Sequence, residues 1–123
     1  MIHLDTNFLI QALVPGSLAD SKIQKWLGDD EDLGISSIVW SEFLCGPLTP
    51  GDKILAQTLL GTPEPFLEPD ARNSAELFNA TGRRSRSLAD CQIAAVALRC
   101  EARLATVNAS DFALFQSQGL RLA

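Results

Sequence analysis

The chain has 123 residues, enough for one domain with its own apolar core and not for two. It is 46% hydrophobic and 20% charged, which excludes a disordered chain, and its eight Gly and six Pro follow no repeat, which excludes collagen-like or low-complexity structure. The net charge of -5 argues against a protein held to nucleic acid by bulk positive charge.

In chain order, Met1–Leu4 is short and apolar and predicts a buried strand ending at Asp5. Thr6 or Asn7 is positioned to cap a short helix over Phe8–Val14, which Pro15-Gly16 stops. Ser17 opens a second helix whose apolar stripe is Leu18, Ile23, Trp26 and Leu27, followed by a solvated acidic turn at 29–32. A second strand is expected over Leu33–Ser36, then a helix over Ile38–Cys45 capped by Ser37 and closed by Gly46-Pro47. Helices follow over Asp52–Leu60 and Asp70–Ala80, with a weak strand at Phe66–Glu68 between them. Ser87–Asp90 opens an Ala-rich helix reaching about Glu101; strands are expected at Arg103–Val107 and Leu120–Leu122. Short strands alternating with helices predict a single α/β domain, residues 1–123, with a mainly parallel central sheet covered on both faces.

Charge is uneven. Residues 1–82 hold four basic and twelve acidic side chains; residues 83–123 hold six Arg and three acids, with Arg83, Arg84 and Arg86 in one tetrapeptide. That cluster is a candidate landing site for the phosphates of a polyanion, and a solvated loop is the competing reading. Three cysteines without C-x-x-C spacing and one histidine give no basis for a zinc site and predict reduced thiols in a cytoplasmic protein. The start has no signal-peptide pattern, and no apolar run reaches bilayer length. His3 reads as a hydrogen-bonded structural residue; Trp26 and Trp40 read as core or dimer-interface residues.

In parallel sheets, ligands bind at the carboxyl ends of the strands. Asp5 ends the first strand, and Asn108 follows the strand at 103–107 with Asp111 one short turn on. Asp90 lies in a helix first turn, and Glu42 lies in a helix with Ile38 and Cys45 on its own face, which suggests part burial. Each has a plain alternative. Asp5 fits an Asx turn and cap, Ser87-x-x-Asp90 fits a capping box, Glu42 fits a boundary residue paired with an Arg, and Asn108 and Asp111 fit turn residues. As a set they are more informative. Several carboxylates at one sheet edge repel unless a divalent cation joins them, and oxygen-only ligands select Mg²⁺ or Mn²⁺. Such an ion can activate water and stabilise an attacked phosphate, while a carboxylate off the ion accepts a proton.

The segments Leu4-Asp5-Thr6-Asn7, Ser36–Gly46, Leu88–Ala95 and Leu104–Phe112 together resemble the PIN-domain family, and within it the VapC-type toxins of toxin–antitoxin pairs, in order and spacing over essentially the whole chain. The resemblance implies a PIN fold and a Mg²⁺- or Mn²⁺-dependent endoribonuclease; in-line attack by an activated water is expected to leave a 5′-phosphate and a 3′-hydroxyl. By this resemblance Asp5, Glu42 and Asp90 match the three main acids and metal ligands, and Thr6 matches the hydroxyl residue after the first. Asn108 stands where many relatives carry a fourth acid; an amide cannot take a proton, and Asp111 is placed to supply the missing charge. The resemblance further implies a homodimer and a small cognate antitoxin that blocks the cleft with a basic side chain and carries any DNA recognition. A PIN scaffold with little turnover, acting by protein binding, is the alternative. A haloacid-type phosphatase is disfavoured by Asp-Thr-Asn in place of Asp-x-Asp, and a phospho-receiver by the lack of paired acids before Asp5.

Overall fold

Three short strands make the sheet in the computed structural model, which describes residues 1–123: β1 (Ile2–Leu4), β2 (Leu33–Gly34) and β3 (Arg103–Ala105). Their order is β2-β1-β3, all parallel, with Ile2 opposite Leu33 and Arg103, and Leu4 opposite Ala105. The first strand is therefore central, and all three of its residues are buried. This is why it reads as a continuous apolar run interrupted only by His3.

Seven helices flank the sheet: α1 (Thr6–Ala12), α2 (Leu18–Gly28), α3 (Ser37–Leu44), α4 (Pro50–Leu60), α5 (Glu68–Ala80), α6 (Leu88–Arg99) and α7 (Ala109–Phe112), followed by a 3₁₀ segment at Ala113–Gln118. The expected α/β class is thus met. α6 carries the longest buried stretch, Ile93–Ala97, and packs against α5, α3 and β3. Its alanines permit that approach, because each buries a face without demanding space. No helix is long and apolar enough to cross a membrane.

Several boundaries differ from expectation, each for a local reason. Asp5, not Thr6 or Asn7, caps α1, which starts two residues early. Ser36, not Ser37, caps α3, so β2 stops at Gly34. α4 begins at Pro50 because Thr49 and Asp52 form a capping box ahead of it. In α2 the buried residues are Ala19 and Ile23, while Leu18 is 75% exposed, so the expected stripe is displaced. Phe66–Glu68 forms no strand: Leu67 is the N-cap of α5, and Glu64 makes a single bridge with Ser36. The expected last strand is likewise one bridge, Leu122 to Leu104. The acidic turn is more than solvated, since Glu31 accepts from Arg103 at 2.6 Å. Trp26 stacks on Phe8 and Trp40 on Phe43, both half-buried against the core.

Candidate active site

The end of β1 delivers Asp5 in an extended conformation to the start of α1. Its Oδ1 accepts the Phe8 amide at 2.8 Å, and its Oδ2 accepts the Thr106 hydroxyl. Thr106 follows β3, the neighbour of β1, and its own hydroxyl accepts the Asn108 amide at 2.9 Å. One short chain of bonds therefore ties two strand ends together. Asp5 is only 5% exposed, yet a carboxylate offers about four lone-pair sites, so two bonds leave coordination capacity free.

Thr6, the first residue of α1, donates its hydroxyl to Glu42 Oε1 at 2.8 Å. Glu42 is exposed rather than part-buried, and its partner is this hydroxyl rather than an arginine. Asp90 lies in the first turn of α6, and the expected capping box is absent. Ser87 has a helical backbone (φ -95, ψ -1) and its hydroxyl donates to the Arg84 carbonyl at 2.8 Å. Asp90 is thereby left to face inward. Asn108 is the N-cap position of α7 without a side-chain cap bond, and Asp111 is in that helix.

These residues share one pocket of about 140 Å³, lined by Asp5, Thr6, Asn7, Glu42, Asp90, Ile93, Asn108, Asp111 and Phe112. It has room for a hydrated ion, where one water needs about 10–15 Å³. Four sequence-distant acids meet there, with two amides (Asn7 and Asn108) and one hydroxyl and no His or Cys. The mutual cost is visible in their protonation. Burial, then the charges of Asp111, Glu42 and Asp5, push Asp90 up to about 6. Burial raises Asp5 as well, against the bonds from Thr106 and Phe8. The oxygen-only donor set suits a hard dication. The acids ring the pocket rather than grip a point, for no three His, Cys, Asp or Glu side chains form a close metal cluster. Asp5 and Glu42 are each held by protein hydroxyls instead.

Sequence reasoning missed Thr106. Its signal was positional: it follows a strand beside β1, two residues before Asn108. His3 is buried outside the pocket, against Gly34, and burial lowers its pKa, which keeps it neutral. The three arginines do not act together. Arg83 lies back over the Phe78 ring and donates to Asn79, Arg86 is exposed, and Arg84 turns inward. None of the three lines the pocket. All three cysteines are free thiols.

The model of the PIN domain family matches residues 2–115. Among solved structures, FitAcB from Neisseria gonorrhoeae is 25% identical with a TM-score of 0.73, covering 99% of this chain and 96% of that one. A toxin-antitoxin complex from Klebsiella pneumoniae is also 25% identical, with a TM-score of 0.73 over 92% of this chain and 91% of that one. VapBC2 from Rickettsia felis, bound to a DNA fragment from its promoter, is 21% identical with a TM-score of 0.77 over 100% and 98% of the two chains, a likeness of fold. No curated protein matches the chain in sequence.

Proposed function

This chain belongs to the PIN domain family, whose members are generally nucleases, and on that premise we propose that it is a Mg²⁺- or Mn²⁺-dependent endoribonuclease, the toxin of a VapC-type toxin–antitoxin pair. The observation that carries the reading is the meeting of Asp5, Glu42, Asp90 and Asp111 in one pocket of oxygen donors. Asp5, Asp90 and Glu42 are the residues to hold the ion. Bound there, the ion supplies Lewis-acid stabilisation of an attacked phosphate and makes water more acidic.

The chain's own groups do the rest. Thr6 fixes one oxygen of Glu42 and leaves the other free for the ion. Thr106 holds Asp5 against rotation. Asp111 adds charge that Asn108 cannot, and the Asn108 amide is suited to hydrogen-bond a phosphate oxygen. Cleavage of a phosphodiester in line would leave a 5′-phosphate and a 3′-hydroxyl.

A separate apolar cleft lies where α1 meets α3 and the start of α4, lined by Ile10, Leu13, Val14, Phe43, Pro47 and Leu48. Ile10 and Val14 stay about half exposed, which suits a protein partner. In this reading the partner is a small antitoxin that also presents a basic side chain to the acid pocket, and DNA recognition belongs to it. A homodimer in the cytoplasm completes the proposal.

The test is RNA cleavage by wild type and Asp90→Asn, purified free of host RNase, with Mn²⁺ or with EDTA. We expect cleavage with 5′-phosphate ends only for wild type with metal. Cleavage unaffected by EDTA and equal in the variant would overturn the assignment. No cleavage in any arm, with retained antitoxin binding, would favour the scaffold reading that Asn108 suggests.

A further inference from the structure

We propose that Arg84 is a positioning residue: it holds the turn that carries Asp111 at the acid pocket, and it is not an RNA contact. The inference rests on the proposed cation-binding role of that pocket.

Arg84 is set by its own backbone first. The Ser87 amide and hydroxyl both donate to the Arg84 carbonyl, at 3.2 and 2.8 Å, and Ser87 is itself buried. Arg83 and Arg86 take positive φ angles of 54° and 66°, a conformation unfavourable for side chains of this size. The loop thus spends conformational energy around Arg84. The side chain then crosses to the segment after β3. Its guanidinium lies over the Phe115 ring at 5.9 Å, and Nη2 donates to the Asp111 carbonyl at 3.4 Å. Nε is buried without a hydrogen-bond partner. A donor closed off in this way is not available to a phosphate.

The segment it reaches needs a tie. α7 has four residues and passes directly into 3₁₀ geometry, and elements this short have little stability of their own. Phe112 and Phe115 anchor its buried side, edge to face at 5.9 Å, while Asp111 is on the exposed side. Arg84 is the side chain from outside the segment that hydrogen-bonds the Asp111 backbone.

Charge and positioning make opposite demands on cation affinity, which allows them to be separated. A positive charge near the pocket repels a cation, so losing that charge alone would tighten binding. Losing the planar guanidinium while keeping the charge would loosen Asp111 only. Arg84→Lys is therefore the decisive variant, since an ammonium cannot reproduce the fork and the ring contact together.

We expect Mn²⁺ affinity of the full chain, measured by calorimetry, to fall about threefold in Arg84→Lys, less than for groups that orient a direct ligand, because Asp111 lends charge to the site. The loss should vanish in an Asp111→Asn background, where the positioned carboxylate is already gone. Amide exchange at 109–112 should rise in Arg84→Lys, and Arg83→Lys and Arg86→Lys should change neither readout. Unchanged Mn²⁺ affinity in Arg84→Lys, or an equal loss in the Asp111→Asn background, would overturn the inference. If wild type binds no Mn²⁺, the cation-site reading itself fails. Unchanged exchange at 109–112 with normal wild-type Mn²⁺ binding defeats only the role of Arg84.

Discussion

Asp5 shows why the acids of this pocket cannot be probed by alanine alone. The same carboxylate caps α1 through the Phe8 amide and accepts the Thr106 hydroxyl. Asp5→Ala removes a helix cap and is expected to cost about 1–2 kcal/mol of stability in a denaturant titration. Asp5→Asn keeps a cap acceptor and is expected to change stability little, while removing cleavage and Mn²⁺ binding. Equal stability of the two variants would show that the cap is unimportant. Asp90 offers the complementary test in pH. Its folded pKa lies near 6, above the ordinary 3.8, so the folded protein binds its proton more tightly than the unfolded chain. The stability this contributes is complete below about 4 and is lost as pH rises through about 6. We therefore expect the metal-free wild type to lose stability over that window relative to Asp90→Asn, and Mn²⁺ to restore it at pH 7. Parallel pH profiles of the two proteins would refute the coupling.

At the scale of elements, what was legible in the sequence was what neighbouring residues decide. Ser17 before α2 and Gly46-Pro47 after α3 act within a few residues and were readable. The failures came from partners far along the chain. Ser87-x-x-Asp90 satisfies the spacing of a capping box, yet the Ser87 amide that Asp90 would accept already donates to the Arg84 carbonyl and the Ser87 backbone is helical rather than extended, which leaves Asp90 facing the pocket. The start of α5 was misplaced for a similar reason. Asp70 accepts the Leu67 amide at 2.9 Å, half of a capping box since leucine returns no acceptor, and also accepts Arg99 Nε at 2.9 and 3.1 Å. Arg99 reaches on to Glu64 at 2.9 Å and to the Pro65 carbonyl at 2.9 Å. One arginine of α6 thereby clamps the loop before α5, and no strand forms at Phe66–Glu68 because the Phe66 and Leu67 amides donate to the Ser37 hydroxyl and the Asp70 carboxylate. Asp70 is fully buried, so Asp70→Ala would leave a part-buried guanidinium without its main partner and α5 without its start. A loss of about 3 kcal/mol is expected in urea unfolding. A cost below about 1 kcal/mol would mean the clamp follows the fold rather than holding it.

Across the whole molecule, the question is how a chain of net charge -5 engages a polyanion. The excess of acid lies in residues 1–82, and four of the chain's carboxylates surround the pocket itself. Bulk attraction is therefore weak, and association with RNA must rely on a few cations at the rim together with shape. The structure narrows which cations those are. Arg84 is turned inward, Arg99 is engaged by Asp70 and Glu64, and Arg103 is paired with Glu31. Arg83 and Arg86 remain exposed on the loop before α6, the helix that carries Asp90. Each phosphate contact on single-stranded nucleic acid contributes about 0.7 to the slope of log affinity against log salt. The Arg83→Gln/Arg86→Gln pair, placed in the Asp90→Asn background so that RNA survives the titration, should lower that slope by about 1.4 and weaken binding across sequences alike. An unchanged slope would remove this loop from the RNA path and leave substrate recognition to neutral contacts around the pocket.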